Sequence, residues 1–132
     1  MFRILALFAA ASAKINDCAV GRSVFSMKAV TLLPADPVPG ENVTLHLEYI
    51  VPAGVTVTDG TAQYDVSYNF IPFSPTIESL CYDVPCPLGP GLYTNDTISQ
   101  WPTGLSGTLV TKITWFDLLK NVLLCISIQA KF

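Results

Sequence analysis

The stretch TAQYDVSYNF, residues 61–70, alternates apolar and polar side chains along its whole length. Ala62, Tyr64, Val66, Tyr68 and Phe70 fall on one face, and Gln63, Asp65, Ser67 and Asn69 on the other. A period of two marks a strand with one buried face, because successive side chains of an extended chain point to opposite sides. Upstream, VTLHLEYIV at 43–51 repeats the pattern: Val43, Leu45, Leu47, Tyr49 and Val51 point one way, and Thr44, His46 and Glu48 the other. Between the two strands, Pro52-Ala53-Gly54 and Asp59-Gly60 are turn signals around a short segment at Val55 and Val57.

The rest of the chain reads the same way. SVFSMKAVTLL at 23–33 predicts one or two short strands, and PADPVPGEN at 34–42, with three prolines and a glycine, a loop. GLYTNDTISQ at 91–100 predicts a strand and WPTGLSG at 101–107 a loop. TLVTKITWF at 108–116 and LLCISIQAKF at 123–132 predict the last two strands, joined around Asp117 to Asn121. Short strands with turn signals every eight to twelve residues or so, and no helical segment between them, predict an all-β antiparallel sandwich.

Residues 1–13, MFRILALFAAASA, combine one basic residue, Arg3, an apolar run from Ile4 to Ala10, and the small-x-small triplet Ala11-Ser12-Ala13. This is the makeup of a secretory signal peptide cleaved near Ala13, and the run is too short to span a bilayer. The mature domain is then 14–132, one core's worth of chain. Loss of Arg3 takes the formal charge from −3 to −4. No cluster of Lys or Arg is present to neutralise phosphates, so nucleic acid is not an expected partner. With apolar residues at 51% and charged residues at 13%, disorder is excluded and the apolar side chains need either a core or a ligand to bury them. The sequons at Asn42 and Asn95 (Asn42-Val43-Thr44 and Asn95-Asp96-Thr97) fit a secreted or vacuolar/lysosomal lumenal protein and predict surface glycosylation.

An oxidising compartment turns the four cysteines into structural bridges. Proximity favours Cys81 with Cys86, and elimination then joins Cys18 to Cys125, tying the first strand to the last. No metal is expected, since C-x4-C has no second pair at matching distance and His46, the sole histidine, lies on the polar face of a strand. No nucleophile elbow or phosphate loop is present, and Asp65 and Glu48 lie on solvated strand faces, so an enzyme is not expected.

The stretch LCYDVPCPLGPG at 80–91 resembles the cysteine hairpin of the ML lipid-recognition domain family. LLPADPVPGENVTL at 32–45 is similar to the Pro-rich segment of that family's fungal phosphatidylglycerol/phosphatidylinositol transfer proteins, Cys18 opens the domain, and Cys125 lies in its last strand. The resemblance covers residues 15 to 132. Many animal members have a third disulfide where this chain has PADPVPG, which places it nearer the phospholipid-transfer branch than the soluble Niemann-Pick type C cholesterol carrier.

What the resemblance implies is an immunoglobulin-like β-sandwich whose two sheets part to admit a lipid, with no cofactor and no covalent chemistry. The expected function is binding and intermembrane transfer of a phospholipid by a monomer that touches membranes transiently. A sterol ligand is the alternative, and a ligand-free recognition or adhesion module is the alternative of another class. The expected cavity wall is Tyr64, Val66, Tyr68 and Phe70 with Leu45, Leu47 and Tyr49. Phe73 is expected at the mouth, Trp101 and Leu105 across the opening, and Ile113 and Trp115 reaching in from the next strand.

Overall fold

A computed structural model describes residues 12–132. Nine strands follow in chain order: β1 Ser12–Asp17, β2 Ser26–Leu33, β3 Asn42–Val51, β4 Gly60–Tyr68, β5 Ile71–Pro72, β6 Thr76–Ser79, β7 Gly91–Gln100, β8 Thr108–Asp117 and β9 Val122–Lys131. They form two antiparallel sheets. The larger has the order β1-β9-β8-β4-β5, with β6 also on β4, and the smaller the order β2-β3-β7. Among the described residues one 3-10 turn, Leu80–Tyr82, stands between β6 and β7. The predicted all-β sandwich is the observed architecture.

The alternating faces lie as the sequence predicts through most of β3 and β4. Val43, Leu47, Tyr49 and Val51 are buried between the sheets, and His46 lies on the outer face, its ring nitrogens facing Asp96 at 2.5 Å and Glu48 at 3.0 Å. Those bonds, to Glu48 first and then Asp96, raise the imidazole pKa above its ordinary 6.5. At the start of β4, Gly60 is required because a Cβ there would run into the Phe116 carbonyl oxygen of β8.

The alternation misleads at the far end of β4. The strand stops at Tyr68, and Asn69 and Phe70 both take positive φ, 50° and 68°, forming a two-residue turn that returns the chain with Tyr68 opposite Ile71. A two-residue hairpin demands this twist. It carries Phe70 out of the strand face to 84% exposure, so Phe70 does not belong to the wall.

Both disulfides are formed, with Cα–Cα distances of 5.1 Å for Cys18–Cys125 and 5.5 Å for Cys81–Cys86. The first lies where β1 leaves its pairing with β9, and the Cys18 amide donates to the Cys125 carbonyl at 3.2 Å. Of the expected leader, residues 1–11 lie outside the described residues. Ser12 and Ala13 are already part of β1, where Ala13 pairs with Ala130.

Candidate functional site

The sheets meet closely at one end and part at the other. At the closed end Tyr49 of β3 stacks on Phe25 and on Tyr93 of β7, each at 5.5 Å between ring centroids, and meets the edge of Trp115 of β8 at 5.3 Å. Ala62 lies directly across from Trp115 on β4, and its small side chain leaves the indole room between the sheets. Burial, then the neighbouring Tyr93, pushes the Tyr49 phenol up to about 12. These rings fill the space, so Tyr49 and Trp115 form a floor.

Above that floor a cavity of about 540 Å³ lies between the sheets, within the range of small-molecule sites. β4 contributes Tyr64, Val66 and Tyr68, and β8 contributes Leu109, Thr111 and Ile113. Val43 and Leu45 of β3 face them, with Leu32 of β2, Ile128 of β9, and Thr97 and Ser99 of β7. Phe73 after β5 and Trp101, Pro102 and Leu105 from the 101–107 loop complete the rim. Eight of the residues expected from sequence are therefore brought together: Leu45, Tyr64, Val66, Tyr68, Phe73, Trp101, Leu105 and Ile113. Leu47, Tyr49, Phe70 and Trp115 are not. Leu47 and Trp115 border only a pocket of about 30 Å³ below the cavity, while Tyr49 is core and Phe70 points to solvent.

Leu109 and Thr111 could have been found from sequence, since they share the parity of Ile113 on β8. Thr97 and Ser99 could not, because the polar residues of a strand are expected outside. On β7 the rule is reversed: Asn95, Thr97 and Ser99 sit opposite Leu47, Leu45 and Val43, facing inward, while Leu92 and Ile98 are exposed. β7 is a sheet edge, and there Asn95 finds a partner in the cysteine hairpin while Thr97 donates to the Asn95 side-chain oxygen.

That hairpin is a clasp between the sheets. Tyr64 of the larger sheet donates its hydroxyl to the Asp83 carboxylate at 2.8 Å, and Asn95 of the smaller sheet donates its amide to the Asp83 carbonyl at 2.6 Å. Burial, then the bond to Asp83, raises the Tyr64 phenol well above its ordinary 10.0, so it remains a neutral donor. Glu78 of β6 is raised by burial and then by the negative charge of Asp83. The same contact ties the side chain of Asn95, the second expected glycan acceptor, to the hairpin in a partly buried position. Asn42, by contrast, is exposed. Tyr64→Phe removes the only side chain that joins β4 to Asp83 among the described bonds, and it is expected to cost about 1 to 2 kcal/mol in denaturant unfolding. A loss near zero would show that the clasp does not hold the sheets together.

The ML-domain profile matches residues 12–132. The chain belongs to the ML-domain family. It is 26% identical, over 98% of its length and 94% of the relative's, to a Dictyostelium discoideum protein provisionally named a phosphatidylglycerol/phosphatidylinositol transfer protein. Among solved structures, the Niemann-Pick type C2 protein from the Japanese carpenter ant matches with a TM-score of 0.65 at 12% identity, over 88% of this chain and 96% of that one. Chicken MD-1, complexed with lipid IVa, matches with a TM-score of 0.62 at 10% identity, over 92% of this chain and 89% of that one. At such identities the two structures show the fold, which is the immunoglobulin-like sandwich of the ML domain. In this ML domain the sole histidine lies on the outer sheet face between Glu48 and Asp96, apart from the cavity lining.

Proposed function

We propose that this ML domain is a lipid-binding and intermembrane lipid-transfer protein that carries one phospholipid, its acyl portion held between the sheets. The apolar cavity of about 540 Å³ carries this reading. A cavity lined by Leu, Val, Ile and aromatic side chains favours a ligand that brings its own apolar surface, at about 0.8 kcal/mol for each methylene withdrawn from water. Ser99 places a hydroxyl on one side of the cavity, where an ester or phosphate-linked oxygen of a glycerolipid finds a donor, while the Thr97 hydroxyl donates to the Asn95 side-chain oxygen at 3.2 Å. The provisional name of the Dictyostelium relative and the absence of a cysteine in the 34–42 loop support phospholipid ahead of sterol. Catalysis plays no part, since transfer needs burial and release alone.

The two disulfides and the leader-like residues 1–13 support action in a secreted or vacuolar/lysosomal setting, with Asn42 as the glycan acceptor. The protein acts as a monomer. Native mass spectrometry with lipid extraction of the purified protein tests the function: a single phospholipid adduct is expected. An apo mass together with no uptake of fluorescent phospholipid refutes it, and a sterol adduct reassigns the ligand.

A further inference from the structure

The rim of the cavity carries a feature that lipid binding alone does not require. Phe70 is 84% exposed and Ile71 64%, at the tip of the β4–β5 hairpin, with the cavity-lining Phe73 just behind them at 55%. Phe70 holds φ at 68°, a left-handed conformation that is an outlier for a bulky side chain and is normally left to glycine or asparagine. The tip is also firmly built. The Asn69 amide and carbonyl side-chain atoms bond the Ser106 carbonyl and the Thr108 amide, and the Tyr68 hydroxyl both donates to the Ser106 carbonyl and accepts from the Ser106 amide. Gly107 is needed there, because a Cβ would overlap the Asn69 side chain. A rigid turn that strains an aromatic residue in order to present it to water has no return within the molecule, and such outliers point to an outside partner.

The charge pattern says which partner. No Asp, Glu, Lys or Arg stands between Asp65 and Glu78, or between Asp96 and Lys112, so the tip and the 101–107 loop opposite are uncharged. The 34–42 loop bonded to Trp101 through Gly40 carries only the acidic Asp36 and Glu41, which would not attract anionic lipid. We infer that the Phe70–Ile71 tip inserts into the apolar layer of a lipid bilayer and holds the cavity mouth against it, by a contact that needs no anionic lipid. The inference rests on the proposed transfer function for its purpose and names the element that makes the membrane contact. With Phe73 directly behind the tip, a lipid tail passes from bilayer to cavity along apolar side chains without crossing water.

Association of the protein with vesicles is measured by flotation, separately from cargo uptake. Pure phosphatidylcholine vesicles and vesicles with added phosphatidylglycerol are compared at low and high salt. The wild type is expected to float with phosphatidylcholine alone, with little response to salt, as apolar contact is not screened. Phe70→Asn, which suits the left-handed turn, and Ile71→Gln are each expected to weaken association about tenfold. Leu119→Gln is the control: Leu119 is 83% exposed, in the turn between β8 and β9 at the closed end of the sandwich, and its replacement is expected to change nothing. Tip variants that float like the wild type, a control that weakens equally, or association that requires phosphatidylglycerol and vanishes in high salt would each overturn the inference. Normal association with no cargo taken up would instead count against the transfer function and leave the docking tip standing.

Discussion

Val66→Trp is expected to lower phospholipid uptake by about a thousandfold while leaving the melting temperature unchanged or higher. Val66 lies mid-wall on β4, between Tyr64 and Tyr68 and opposite Thr111, with its side chain on the cavity. An indole there takes space that about five methylenes of ligand would fill, and at about 0.8 kcal/mol each the loss is about 4 kcal/mol, or three powers of ten. In a solid core the same substitution would overpack and destabilise by about 1 to 3 kcal/mol. Filling an existing void carries no such cost. The two readouts therefore move in opposite directions only if the space is a real cavity and the lipid occupies it. Unchanged uptake, measured by fluorescent-lipid titration, would place the ligand elsewhere, and a collapse of the melting temperature would show that the wall at Val66 is packed.

The second large effect concerns stability. Paired Cys18→Ser and Cys125→Ser substitutions are expected to cost about 5 kcal/mol, because the bridge closes a sequence separation of 107 residues and the unfolded chain regains that freedom. Small domains are stable by about 5 to 15 kcal/mol in all, so the loss is a large share, roughly 15 to 20 °C in melting temperature. The corresponding change at Cys81 and Cys86, separated by 5, is expected to cost about 2 kcal/mol on the same model. Thermal melts of both double variants check the order. If the short bridge proved the more important one, its role in holding the Asp83 clasp in place would outweigh loop closure.

Of the twelve residues expected around the cavity, four lie outside it, for two different reasons. Phe70 has the right parity, and an aromatic at the end of an alternating run reads as one more strand residue. The turn that removes it is built from Asn69 and Phe70 and not from the Asn-Gly pair that announces a two-residue hairpin, so the local signal is weak. Leu47, Tyr49 and Trp115 have the right parity and do point inward. What they meet there is each other's neighbours and not empty space, because at their level Tyr49, Tyr93, Phe25 and Trp115 bring the sheets together.

The sequence by itself determined what depends on near neighbours along the chain. Side-chain parity in β3 and β4 follows from the geometry of an extended backbone, the pairing of Cys81 with Cys86 from their spacing, and the family from a short cysteine and proline pattern. The tertiary structure alone decided how far apart the sheets lie at each level, and hence which inward residues are core and which are cavity wall. It also decided that Asn95, Thr97 and Ser99 face inward on β7, and that Asp83 in the cysteine hairpin joins Tyr64 to Asn95 across the gap. Each of these is set by contacts between residues far apart in sequence, where the volume and polarity of one sheet's side chains are matched against the other's, and no local periodicity encodes that match.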